Sequence, residues 1–254
     1  MLQSVRAALT HFFNSMEVSE PFCIFLKQLS TALIKSETAR PKGRTPIMPL
    51  KPFTDMFERW PDNDNLTLAK LRVKAVTLIT IGTLARCSDL APANVLKRKN
   101  VTFNKDGSLT ILFHGIKNDS DRKGFEIRVE CAQNPKSDPV KTLRDYINRT
   151  ADKVDQSEGP IFIKPSSPFG PVTPRGIADI LRTAIKEAGL SDTFTPRSFR
   201  PSATSAAVAS GCDHETVRQL GRWKTREVFY ESYVYPLPKK DTTDKILNSD
   251  LKLY

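Results

Sequence analysis

Phe194-Thr-Pro-Arg197-Ser-Phe-Arg200-Pro-Ser-Ala-Thr204 is followed by Leu220-Gly-Arg222-Trp223 and Val228-Phe-Tyr230-Glu-Ser-Tyr233-Val-Tyr235-Pro236, and this block decides the reading of the chain. It gathers arginines, an indole donor and three phenols. Between 197 and 226 six basic residues (Arg197, Arg200, Arg218, Arg222, Lys224 and Arg226) face two acids, Asp213 and Glu215. Such density points to contact with a phosphate backbone, with Arg222, Lys224 and Arg226 in support; a solvated basic face is the other reading. Arg197 and Arg200 stand at a helix start after Thr195-Pro196, where N–H groups and two guanidiniums can cradle a phosphate. Trp223 is either a core aromatic or an N–H donor. Tyr230 and Tyr235 read as core or surface anchors. Tyr233, ten residues beyond Trp223, reads as a phenol able to enter a site. With a pKa of about 10, a phenol needs neighbouring cations to act as a nucleophile near neutrality.

The whole chain agrees with a polyanionic partner. It has 254 residues, 39 % of them hydrophobic and 26 % charged, with a formal charge of +11. That length holds one large or two modest domains, and that surplus of base favours nucleic acid. Cys23, Cys87, Cys131 and Cys212 lie far apart without paired spacing, which argues against a zinc site and for reduced thiols. His11, His114 and His214 are too scattered for a short-range metal site. No apolar run is long enough for a bilayer, and Arg6, Asn14 and Glu17 interrupt any signal-peptide core. The expectation is a nuclear or intracellular protein that is neither membrane-bound nor secreted.

Working back toward the N-terminus, residues 2–35 read as two short helices, too little to enclose a core, so 1–38 is expected to be the remnant of a larger helical domain. Residues 39–50, rich in proline and base, read as a linker. Thr67 to Ala85 is a long apolar helix. Period-two runs at Val101–Phe103, Leu109–Phe113 and Phe125–Val129, with a turn at Asp106-Gly107, predict a small antiparallel sheet. Leu143 to Thr150 reads as a helix and Pro160–Ile163 as a short strand. Thr173-Pro174 opens a helix that Gly189 closes; another runs from Pro201 to Ser210, Asp213 caps the next, and the last spans Thr225 to Tyr233. The fold class is therefore mixed α+β, mainly helical.

Two further residues stand out. Arg86, in Ala85-Arg86-Cys87-Ser88-Asp89-Leu90, ends the apolar helix. A charge there must be paired or face a ligand, so either it bridges to Asp89 or it meets an anion. Lys117 sits at the tip between two strands, where it is a solvated bystander or a functional amine.

Together Arg86, Lys117, Arg197-x-x-Arg200, Trp223 and Tyr233 resemble, in order and spacing, the catalytic set of the tyrosine recombinases, or phage-type integrases. The wording of Phe199-Arg-Pro-Ser-Ala-Thr-Ser-Ala-Ala207, Gly221-Arg-Trp-Lys224 and Val228-Phe-Tyr-Glu-Ser-Tyr-Val234 is most similar to recombinases of eukaryotic mobile elements of the Crypton or DIRS kind. The likeness covers about residues 50–236, and 2–36 resemble the last helices of the family's DNA-clamping domain.

The resemblance implies a tyrosine recombinase catalytic domain over 51–236, followed by a tail over 237–254. It implies that Tyr233 attacks duplex DNA to form a 3′-phosphotyrosyl link. Arg86 and Arg200 would brace the phosphate, with Arg197 as a third cation and Trp223 as a donor, and Lys117 would protonate the leaving oxygen. It further implies that no metal, nucleotide or other small-molecule cofactor is needed, and a homo-tetramer on DNA with the tail docking on a neighbour. Arg197 stands where the family has histidine, and an arginine accepts no proton at physiological pH. Two readings follow: a strand-transferring enzyme, or a catalytically impaired DNA-binding remnant of a mobile element.

Overall fold

The computed structural model describes residues 45–91, 96–116, 119 and 123–232, together with the helical Ile24 and Gln28. The chain divides into two units, Met1–Arg44 and Thr45–Tyr254, and the elements named here belong to the second. Lys117, Tyr233, the tail 237–254 and nearly all of the expected N-terminal helices lie outside the described residues. Of the expected linker, 45–50 belongs to the second unit. There Met48 is buried and its N–H donates to the Ser202 hydroxyl at 2.7 Å.

Helix α1 (Lys51–Arg59) is an addition to the elements expected from the sequence. Pro52 pre-sets its first turn, and Phe53, Met56 and Phe57 form its buried stripe. Helix α2 (Leu68–Thr83) is the apolar helix expected, opened by the Thr67 hydroxyl, which accepts the Lys70 N–H at 3.2 Å. Short α3 (Cys87–Leu90) follows. The sheet then forms from β1 (Val101–Phe103), β2 (Leu109–Phe113) and β3 (Phe125–Val129), antiparallel in the order β1-β2-β3. Ile111 faces Val101 on one side and Ile127 on the other. Gly107, at φ 89°, makes the first turn.

Helix α4 (Pro139–Arg149) starts earlier than the expected Leu143. The Asp138 carboxylate accepts the N–H groups of Val140 and Lys141, and Pro139 occupies the first turn. Pro160–Ile163 is not a strand. It makes isolated bridges, Lys97 to Pro160 and Ile163 to Pro171, because no neighbour runs alongside long enough to form a ladder. Helices α5 (Pro174–Glu187), α6 (Phe199–Ala209), α7 (His214–Leu220) and α8 (Arg226–Ser232) complete the unit.

Helix α2 is the axis of this unit: α4, α5, α6 and β3 all pack against it. Burial on nearly every side explains why its sequence lacks a polar face. Core residues such as Leu71, Val76, Leu143, Ile177 and Phe199 close around it. A smaller cluster of Leu84, Ala203, Val217, Trp223 and Phe229 joins its C-terminal end to α6, α7 and α8. Among the described residues, no helix is long and apolar enough to cross a membrane.

Candidate active site

Helix α2 ends at Leu84, whose backbone takes a left-handed φ of 51°. That conformation costs an L-residue about 1 kcal/mol or more. Among the described residues one other non-glycine has positive φ: Arg222, at 59°. The same site holds both. Strained backbone persists where surrounding contacts over-determine it, and such positions concentrate at functional sites.

Arg200, in the first turn of α6, is buried and makes the central connection. Its Nη1 donates to the Leu84 carbonyl at 2.6 Å, and its Nη2 donates to the Gly221 carbonyl. Its guanidinium carbon lies 4.2 Å from the centre of the Trp223 ring, in cation–π contact. Arg86 enters from the other side of the Leu84 turn. Its backbone N–H donates to Asp89 Oδ2 at 3.0 Å, while its Nη1 stays 3.7 Å from that oxygen, so the side chains attract without a hydrogen bond. The Arg86 side chain keeps 27 % exposure, so the ion-pair reading and the ligand-facing reading of this residue are compatible.

Arg222 corrects an expectation. The sequence reading makes it a supporting DNA contact, yet its side chain is 0 % exposed and ion-paired, Nη2 to Asp89 Oδ2 at 3.0 Å. Its Nη1 donates to the Thr83 carbonyl at 3.3 Å, and its guanidinium stacks 5.0 Å from the Phe113 ring centre. A group enclosed in this way cannot reach a phosphate backbone. Burial pushes its pKa down, opposed by the nearby Asp89 carboxylate. Lys224 and Arg226 are exposed, as a backbone contact requires, with Arg226 Nε 3.6 Å from Glu215.

Trp223 is buried and is a packing residue as well as a candidate donor. Its ring packs on Phe229 at 5.2 Å and lies so close over Gly221 that a Cβ there would sit 1.7 Å from a ring atom. The glycine is needed for that approach and not for its dihedrals, since the left-handed position falls one residue later. The buried Phe229 thereby fixes α8, the helix that leads toward Tyr233. Tyr230 accounts for another late phenol: His214 Nδ1 lies 3.1 Å from its hydroxyl. Its partner is an imidazole from α7, a pairing that no local spacing signals.

Arg197 lies in the single 3₁₀ turn Pro196–Ser198 and is exposed. It is near enough to Cys87 to counter, in part, the burial that raises that thiol's pKa. Arg86, Arg200 and Trp223 thus meet at the Leu84 turn, Arg197 lies near enough to act on Cys87, and Lys117 and Tyr233 fall outside the described residues. Among those residues no group of three or more His, Cys, Asp or Glu gathers to hold a metal. What the arrangement can do is hold a tetrahedral oxyanion: guanidiniums clustered in a low-dielectric niche favour negative charge.

Residues 57–238 match the phage integrase family. The structure of XerH site-specific recombinase bound to difH substrate superposes with a TM-score of 0.57 at 15 % identity, covering 81 % of this chain and 55 % of its own. This chain therefore spans little more than half of that protein's length. XerA recombinase gives a TM-score of 0.56 at 15 % identity over 100 % of this chain and 84 % of its own. The Tn1549 transposon integrase in complex with transposon right end DNA gives 0.54 at 11 % identity over 98 % and 85 %. At these identities the likeness concerns the fold, and it agrees with the expected mainly helical catalytic domain bearing a small antiparallel sheet. No curated protein matches the sequence.

Proposed function

We propose, because this chain belongs to the phage integrase family, that it is a site-specific DNA recombinase that cuts and rejoins duplex DNA through a 3′-phosphotyrosyl intermediate. The observation that carries the reading is the buried Arg200 bound to the Leu84 carbonyl, two residues from Arg86 and stacked on Trp223. Three of the expected site residues, far apart in sequence, come together there.

In this mechanism the Tyr233 phenol gives up its proton to solvent and its oxygen attacks the scissile phosphorus. The P–O5′ bond breaks, and Lys117 supplies the proton to the leaving oxygen. Arg86 and Arg200 hold the non-bridging oxygens, whose charge grows in the transition state, with Arg197 adding a third cation and Trp223 a donor. The covalent link stores the bond for rejoining, so the chemistry of these residues needs no cofactor. Affiliation with Crypton or DIRS elements, assembly as a tetramer on DNA, and work in the nucleus or cell interior belong to the same proposal. So does a helical DNA-clamping role for 1–38.

Incubation with a nicked suicide duplex tests it. A covalent protein–DNA adduct that disappears in Tyr233→Phe is the expected result. The exposed Arg197 in place of a histidine favours one alternative, a catalytically impaired DNA-binding remnant. Salt-sensitive duplex binding with no adduct at any pH would establish that alternative in place of the enzyme.

A further inference from the structure

Arg222 is a buried arginine in a left-handed backbone, out of reach of any ligand. Stability alone is a poor account of it. Buried ion pairs often contribute little next to apolar packing, and the left-handed conformation adds a further cost. Its partner suggests another role. Asp89 Oδ2 accepts both the Arg86 N–H and the Arg222 Nη2 at 3.0 Å, whereas the Arg86 guanidinium stops at 3.7 Å. Arg222 is thus hydrogen-bonded to the carboxylate that would otherwise draw the Arg86 side chain down. The neighbouring positions hold the other arginine: Gly221 offers its carbonyl to Arg200, and Trp223 offers its ring.

We propose that Arg222 is a positioning residue: by occupying Asp89 it keeps the guanidinium of Arg86 free to face a phosphate beside Arg200. The inference rests on reading Arg86 and Arg200 as the phosphate-holding pair. If Arg222 is removed, Asp89 closes on Arg86 and its charge is spent inside the protein. If Asp89 is then neutralised, Arg86 is released again.

That reversal is the test. Wild type, Arg222→Gly, Asp89→Asn and the double variant are compared at equal folded fraction. Two quantities are measured: inorganic phosphate affinity by calorimetry, and the rate of adduct formation on the nicked duplex. Arg222→Gly is expected to weaken phosphate binding and slow the adduct by about tenfold each. The double variant should return to within about threefold of wild type, because the amide introduced by Asp89→Asn still accepts the Arg86 N–H but no longer competes for the guanidinium. A merely structural role predicts the opposite, with the second core change adding to the first, and that result would overturn the proposal. If Arg222→Gly does not fold, Arg222→Gln, uncharged but still polar, enters the same cycle. Wild-type protein that binds phosphate yet forms no adduct defeats the strand-cleavage reading and leaves the phosphate cycle to decide on Arg222. Wild type that binds no phosphate overturns both.

Discussion

Two sets of buried and half-buried cations lie around helix α2, and they differ in how closely they gather and in whether they share an acid. Near the C-terminal end of α4, Arg98 donates to the carbonyls of Ile147, Thr150 and Pro160 and to the Gln156 side chain. Lys74, 1 % exposed, donates to Asn63 Oδ1 at 2.7 Å. These cations stand apart from one another and are solvated by neutral oxygens, some from a helix end whose dipole favours positive charge. At the Leu84 turn, Arg86 and Arg222 share one carboxylate, Asp89, while Arg200 beside them donates to the Leu84 and Gly221 carbonyls. An isolated buried cation staples a fold. Three gathered beside a single acid leave surplus positive charge, which favours an anion.

Arg200→Lys breaks the comparison most sharply. A lysine lacks the fork that spans the Leu84 and Gly221 carbonyls, and adduct formation should fall about 10²- to 10³-fold. Arg98→Lys should leave that rate unchanged and lower stability by about 3 kcal/mol in urea denaturation. Equal losses of rate in the two variants would erase the distinction.

Lys74 tests the structural set through pH. Burial lowers its pKa from 10.5 to about 8 in the folded protein. The unfolded chain therefore binds more protons between those values, and stability should rise as pH climbs from about 8 to about 10.5. The gain is on the order of 3 kcal/mol. Denaturation across that range should show the rise in wild type and not in Lys74→Met.

Arg197 sharpens the functional set. With an arginine there, the phenol must ionise without a side-chain base, so the adduct rate should climb with pH toward the phenol's own pKa of about 10. Arg197→His should raise the rate at pH 7 by about 10²-fold and flatten the profile. The smallest effect belongs to the exposed Lys224. Lys224→Ala should weaken duplex binding a few-fold on every sequence and lower the salt dependence of log affinity by about one.

Local chemistry makes much of this fold legible. The three strands of the sheet follow from alternation and from Asp106-Gly107, and helix α2 from the Thr67 cap and an apolar run. The cap at Asp138, followed by Pro139, is an equally local signal, and it places the start of α4 ahead of the apolar residues that suggest Leu143. Pro160–Ile163 resembles a strand because apolar β-formers suit any buried extended segment, and pairing depends on a partner elsewhere. For the candidate site, residue types and order single out Arg86, Arg200 and Trp223 as candidates, but nothing local distinguishes Arg222 from its exposed neighbours Lys224 and Arg226.

By itself the sequence determined that this is a basic, mainly helical chain carrying a spaced set of cations, an indole and phenols, because charge, period and capping are properties of neighbouring residues. What lies beyond it is which arginine keeps exposure, Arg86, and which are enclosed, Arg200 and Arg222. That choice depends on a carboxylate 133 positions away from Arg222 and on the carbonyls at the end of a separate helix. Burial of a charge is settled by the partners the fold brings to it, and those partners are not encoded in the residue's own surroundings along the chain.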